Sequence, residues 1–403
     1  MSRNSVRLAV LVAALGYFVD IYDLLLFGIV RRPSLAALHV ANPLDAGVFL
    51  DNMQMGAMLL GGILWGILGD KRGRLSVLFG SIVMYSLANI ANGFVQTVPQ
   101  YAVARFFAGI GLAGELGAGI TLVSESLPPE SRGYGTTIVA TVGILGAVVA
   151  ALVGKLTSWR TSYFIGGGLG LGLLLLRVGV MESGMFQRAR SHATVTRGDF
   201  FALFTSWSRF RRYAAVILVG VPIWWVVGVL VKYCDAIGVS MGLSRAPDPA
   251  LAILFCYSGL AVGDLASGAL SQRLRSRRRA VLIFLSITVA GVIAYFTAGA
   301  RSIHAFYACC AVVGVGAGYW AVFITSASEQ FGTNLRATAT TTAPNFVRSA
   351  TVPLTLSFAA LKNGSLGVWG SALAVGLPCL VLAFIALASL PETFGRDLDF
   401  VDE

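Results

Sequence analysis

Charge is what this sequence has least of. Asp, Glu, Lys and Arg together make up 12% of its 403 residues, about half the share found in soluble domains. With 56% hydrophobic residues beside it, so little charge excludes an ordinary water-soluble globule. Basic residues outnumber acidic ones, 30 against 19. They concentrate in short segments between apolar runs, which argues against a nucleic-acid surface. Histidine is nearly missing: His39, His192 and His304 stand far apart. No His-Glu-x-x-His, Gly-x-Ser-x-Gly or P-loop pattern occurs, so no metal centre, hydrolase site or ATP-driven step is expected, and no enzyme or cofactor. The five cysteines, Cys234, Cys256, Cys309, Cys310 and Cys379, sit in or beside apolar runs without metal-ligand spacing. They read as small packing residues.

What is present is a series of long apolar runs. Twelve are near the ~20 residues that a spanning helix needs: 8–30, 50–69, 75–96, 100–126, 134–155, 160–180, 213–236, 249–271, 279–299, 305–328, 337–361 and 366–390. They do not alternate, so helices rather than a β-barrel are expected. The 47 glycines suit closely packed helices. The first run is too long for a secretory leader and contains Asp20 and Asp23, so it reads as the first span. The expected organisation is a six-helix bundle over 1–181, a hydrophilic linker over 182–212, a second six-helix bundle over 213–390 and a short tail over 391–403. Lys and Arg collect on the side of the N-terminus, linker and tail. This predicts a multi-pass inner (plasma) membrane protein with both termini cytoplasmic, acting as a monomer in a lipid bilayer.

The halves repeat one another. G-I-L-G-D-K-R-G-R from Gly66 to Arg74 has a counterpart, G-A-L-S-Q-R-L-R-S-R, from Gly268. Glu125 and Arg132 recur at a similar offset as Glu329 and Arg336. Parallel repeats predict two related bundles that rock about a site near the membrane midplane. On these motifs the chain resembles the major facilitator superfamily. Three further stretches narrow the likeness. R-F-F-A-G-I-G-L-A-G-E, Arg105 to Glu115, is similar to the fourth-helix pattern of metabolite:proton symporters. E-S-G-M-F-Q, Glu182 to Gln187, resembles the start of their linker, with Gly184 where proline is usual. P-E-T-F-G, Pro391 to Gly395, is close to the segment after the last helix of sugar porters. The resemblance implies a secondary transporter driven by a proton gradient and working by alternating access. It also implies a gate on the cytoplasmic face built from Gly66, Asp70, Arg74, Glu125, Arg132, Arg273, Glu329 and Arg336.

Ionisable residues inside the spans mark the pathway, because lipid burial of charge is costly. Asp20 and Asp23 lie three apart and share a face of helix one. Arg105 lies at a depth similar to that of Asp23, so the two can pair. The resemblance assigns such a pair to proton coupling, and Glu115, among glycines in helix four, is a further candidate. Arg348 falls near the midplane of helix eleven with Asn345 on the same face. Its planar fork suits a carboxylate, either of substrate or of Asp264 or Glu115. Tyr17, Tyr22, Gln54, Trp224, Trp225 and Tyr319 are candidates to complete a substrate cavity. Arg348 favours a small organic anion or zwitterion, taken up with a proton. A sugar substrate is the alternative. Drug export is less expected, since no proline stands among Gly143, Gly146 and Gly154.

Overall fold

A computed structural model describes residues 3–72, 74–115, 119, 129–182, 200–332 and 335–396. In the first half of the chain the helices are α1 (Arg3–Ala37), α2 (Pro43–Arg72), α3 (Arg74–Phe94), α4 (Val98–Leu112), α5 (Pro129–Leu156) and α6 (Trp159–Glu182). In the second half they are α7 (Trp207–Trp225), α8 (Cys234–Ser240), α9 (Pro249–Leu274), α10 (Arg277–Thr297), α11 (Ile303–Ala317), α12 (Trp320–Glu329), α13 (Arg336–Ser349), α14 (Thr351–Leu361) and α15 (Gly367–Ser389). Helices satisfy every backbone group internally, the condition for crossing lipid.

Ten helical stretches among the described residues are long and apolar enough to cross a membrane. The two remaining expected spans differ for identifiable reasons. The fourth is described as α4 only to Leu112, with Ala113–Gly114 in a turn beyond it. The eleventh is divided at Ala350 into α13 and α14. Its first piece, R-A-T-A-T-T-T-A-P-N-F-V-R-S, is too polar for a lipid-facing run. The other breaks also fall in the second half: a π turn at Val226–Val231 between α7 and α8, and Gly318–Tyr319 between α11 and α12.

The loop expected at Gly66–Arg74 is shorter than anticipated. α2 continues through Asp70 to Arg72 and α3 begins at Arg74. In the first half α1 packs on α5, α2 on α4 and α3 on α6; in the second, α9 packs on α11 and α7 on α15. The halves meet along α5 against α9 and α2 against α13 and α14. Glycine permits the closest approaches: a Cβ at Gly109 of α4 would stand 2.2 Å from the Gln54 carbonyl oxygen of α2. Two faces result. The near face carries the start of α1, the α2–α3 and α9–α10 connections and the segment that follows α15. The far face carries the α1–α2, α3–α4, α5–α6, α8–α9 and α14–α15 connections.

Candidate functional site

The centre of the site is an ion pair between the halves. Arg348 of α13 donates from Nη2 to Asp20 Oδ2 of α1 at 2.8 Å, and both side chains are fully buried. The guanidinium stands 5.9 Å from the ring centroids of Tyr17 and of Trp224. α1 supplies Tyr17 and Asp20 at a spacing of three, hence on one face. α7 brings Trp224 from the second half. Arg348 Nε and Nη1, Asp20 Oδ1 and Trp224 Nε1 have no hydrogen-bond partner among the described residues. Buried polar groups are nearly always paired, so the unpaired donors and acceptors around a buried Arg–Asp pair make this cluster the candidate site. Asn345 reaches the Ala113 carbonyl at 3.0 Å, and Ser349 reaches that of Met55 at 2.8 Å. α13 is thereby tied to the first half on both sides of Arg348.

The other candidates divide. Gln54 Oε1, Trp320 Nε1 and Asp264 Oδ2 are buried without a partner among the described residues. Asp264 Oδ1 accepts from the Ala321 amide at 2.8 Å, so this carboxylate caps the start of α12 from the neighbouring α9. Tyr22 hydroxyl donates to the Ser162 carbonyl at 2.9 Å, Tyr319 hydroxyl to that of Val219 at 2.9 Å, and Trp225 Nε1 to that of Ala372 at 3.1 Å. Each of these three uses its polar atom to join helices.

Asp23 is 1% exposed, and neither of its oxygens has a hydrogen-bond partner among the described residues. The pairing with Arg105 foreseen from depth is not formed. Arg105 turns to α2: Nη2 is 3.4 Å from Asp51 Oδ1 and Nε is 3.4 Å from the Leu50 carbonyl. Its guanidinium lies over the Phe27 ring at 4.1 Å. Glu115 is held by both oxygens in a fork from Arg177 of α6. Arg177 is 4% exposed and belongs to the bundle, not to the linker.

Asp51 also accepts from Lys232 Nζ at 2.8 Å, across the halves. Further cross-half links surround it on the far face: Arg31 to Asp235 at 2.7 Å, Lys155 to Asp248 at 3.3 Å, Lys362 to Asp45, and Thr355 to Asn52 at 2.6 Å. Sequence reasoning missed this network. One signal was available: Lys232 and Asp235 fall inside the predicted 213–236 span, where charge needs an explanation.

On the near face, Glu125 lies outside the described residues, and of Gly66, Asp70, Arg74 and Arg132 only the helical backbone is described. In the second half Arg277, rather than Arg273, meets Glu329, at 3.0 Å; Arg273 is exposed. Thr393 hydroxyl donates to the same Glu329 at 2.7 Å. Arg336 Nε donates to the Ser328 carbonyl at 3.1 Å. Glu392 accepts from Ser276 hydroxyl and from the Arg277 amide at 2.8 Å, so the P-E-T-F segment binds the start of α10. Burial pushes the Glu392 carboxyl up, but these donors and the Phe394 and Thr393 amides outweigh it and hold it below its ordinary value.

This arrangement of helices has known counterparts. The proton:xylose symporter XylE, bound to 6-bromo-6-deoxy-D-glucose, shares the fold with a TM-score of 0.75 at 15% identity, covering 99% of this chain and 98% of that one. A probable 4-methylmuconolactone transporter of Cupriavidus pinatubonensis (strain JMP 134 / LMG 1197) is 28% identical over 96% of this chain and 91% of its own. The 3-(3-hydroxy-phenyl)propionate transporter of Escherichia coli (strain K12) is 29% identical over 58% of this chain and 60% of its own. The sequence model of the Major Facilitator Superfamily matches residues 13–349, and the chain belongs to that superfamily of membrane transporters.

Proposed function

We propose that the chain imports a small organic acid carrying an unsaturated or aromatic ring, together with a proton, by alternating access between two six-helix halves. The observation that carries this reading is the Arg348–Asp20 pair between the Tyr17 and Trp224 rings, with two guanidinium nitrogens unused. A substrate carboxylate takes the Arg348 fork in place of Asp20, and the rings flank its unsaturated body. The displaced Asp20 is then a buried carboxylate without a cation, and it takes up a proton. One anion and one proton therefore enter together, and the site stays neutral. Asp23, buried without a partner, is the second carboxylate available for the proton. The relatives' named cargoes, a muconolactone and a phenylpropionate, fit the same chemistry. In this reading the near face, with its basic excess, is cytoplasmic in the inner membrane and the far face points outward, which the positive-inside rule supports.

Glu115, locked to Arg177 inside one half, reads as structural. In the near-face gate that the resemblance implies, Arg277 takes the place of Arg273 as the partner of Glu329. The test is uptake into proteoliposomes of benzoate, muconate, phenylpropionate and xylose under an imposed pH gradient, acid outside. Accumulation of a ring-bearing or unsaturated acid, abolished by a protonophore, is expected. Accumulation of xylose alone, or uptake indifferent to the gradient, overturns the reading.

A further inference from the structure

The buried charges of the far face do not balance. Arg31, Arg105 and Lys232 are 3%, 1% and 2% exposed, and the acids they contact are Asp235 and Asp51. Asp235 is occupied by Arg31, so Asp51 serves two cations, both on the single oxygen Oδ1. Its Oδ2 has no partner among the described residues. The division is unequal, with Lys232 at 2.8 Å and Arg105 at 3.4 Å. Lys232 comes from the second half and is threaded into the first. A Cβ at Gly28 of α1 would stand 3.1 Å from Lys232 Cγ, so the lysine stem lies tight against α1. The π turn sets its position: the Lys232 amide bonds the Val227 carbonyl, five residues back, at 3.1 Å. Such turns often mark functional sites.

Resting on the proton-coupled reading above, we propose that Asp51 is a positioning residue for Arg105, and that Lys232 is the competitor that sets how firmly Asp51 holds it. Closing the far face brings Lys232 onto Asp51 and loosens Arg105. Opening withdraws Lys232 with the second half and returns Asp51 to Arg105 alone. The reader of this change is Asp23, one helical turn along α1 from Phe27, the ring on which Arg105 rests. Asp23 is neighboured by Asp20 and Tyr22 on α1, by Tyr85 and Asn89 of α3, and by Gly166 of α6. No cation among the described residues pairs with it. Asp51 itself is faced by Arg105 of α4 and by Lys232 and Tyr233 after the π turn, with Arg31 beyond Tyr233. With the far face open, Arg105 is held away and Asp23 takes its proton from that side. With it closed, Arg105 is loosened on Asp51 but still rests over Phe27, and it reaches Asp23 only when that carboxyl gives up its proton toward the other side. The order of the two steps follows from who holds Asp51.

The test uses the full chain in proteoliposomes, with two activities and one structural probe. Gradient-driven accumulation requires the proton step, whereas counterflow exchange at equal pH does not. The probe is maleimide labelling of Thr355→Cys, a position fully buried on the far face where it meets Asn52 across the halves; the native cysteines are buried too. Lys232→Met is expected to lower accumulation by at least ~10-fold, to leave exchange within about twofold and to raise Thr355→Cys labelling. Lys232→Arg is expected to restore accumulation. Asp51→Asn, which keeps the shape and removes the charge, is expected to raise labelling likewise. Unchanged accumulation in Lys232→Met overturns the proposal. So does an equal fall of accumulation and exchange in folded protein, which signifies a merely structural pair. If the wild type ignores the gradient, the proton-coupled reading fails by itself. Labelling in Lys232→Met that equals wild type separately overturns the Asp51 lock.

Discussion

Arg348 is the side chain that joins both halves through Asp20 and that the proposed reading gives to the cargo, and its chemistry is that of a fork. Replacing it with lysine keeps the charge but loses the planar pair of donors. Arg348→Lys is expected to reduce uptake at least ~100-fold, the effect of ~2–3 kcal/mol, while the protein stays folded. Arg348→Ala leaves Asp20 buried and alone, which costs ~3–5 kcal/mol. Thermal melting should show a loss that Arg348→Ala with Asp20→Asn largely recovers, whereas uptake should not return. A double variant as unstable as the single one would refute the pairing as the source of the loss. Arg348, Asp20, Asp23 and Asn345 were legible in the sequence because a charge or amide deep in an apolar run stands out. Their partners were not. Arg348 and Asp20 are 328 residues apart, and no local pattern encodes a contact between two halves. Asp51 was obscured by its place near the predicted start of helix two, where an acid reads as an ordinary complement to the helix dipole.

At the scale of elements, the unbroken helices form the frame, and one of them, α1, shares the candidate site with α7 and α13, which end at breaks. The tightest part of the frame is α4 against α2. A methyl group on Gly109 would meet a backbone oxygen, which cannot turn aside. Gly109→Ala is expected to destabilise by ~1–3 kcal/mol, read as a lower melting temperature; an unchanged melt would disprove the close packing. The start of α10 offers a pH-dependent counterpart. Glu392 is held below its ordinary value by the donors around it. Its folded value is therefore depressed, so its contribution is full above the unfolded value of ~4.3 and is lost as pH falls through the folded one. Glu392→Gln should melt lower than wild type at pH 7, and the gap should close below about pH 4. A gap that persists in acid would assign the effect to shape instead of charge. Ten of the twelve expected spans were readable from run length. The breaks were not, because a π turn or a one-residue interruption leaves no mark in hydropathy, and Pro222 and Pro344 lie inside helices, not at their ends.

At the scale of the molecule, the far face is closed. Asn52 of α2 and Thr355 of α14 touch across the halves at 2.6 Å. Asn52→Cys with Thr355→Cys is expected to form a disulfide on oxidation and to reduce uptake at least ~10-fold, with recovery on reduction. Unimpaired uptake by the crosslinked protein would rule out opening at this seam as part of the cycle. Membership of the superfamily was legible from loop motifs alone, since the repeat of Gly66 at Gly268 and of Glu125 at Glu329 records the two halves directly. The way the halves are joined was not, because the residues that join them belong to no repeated motif.

The links of the far face have one property in common. The first half contributes Arg31, Lys155, Asp51 and Asp45; the second answers with Asp235, Asp248, Lys232 and Lys362. Each half therefore offers both cations and anions, and each meets its opposite only when the halves dock in one alignment. Buried and rim pairs of this kind add little net strength, but a shifted docking would set like charge against like. The face behaves as a coded seam. Such a seam would give up little energy on parting and find its register again on closing, as the proposed alternating-access cycle requires.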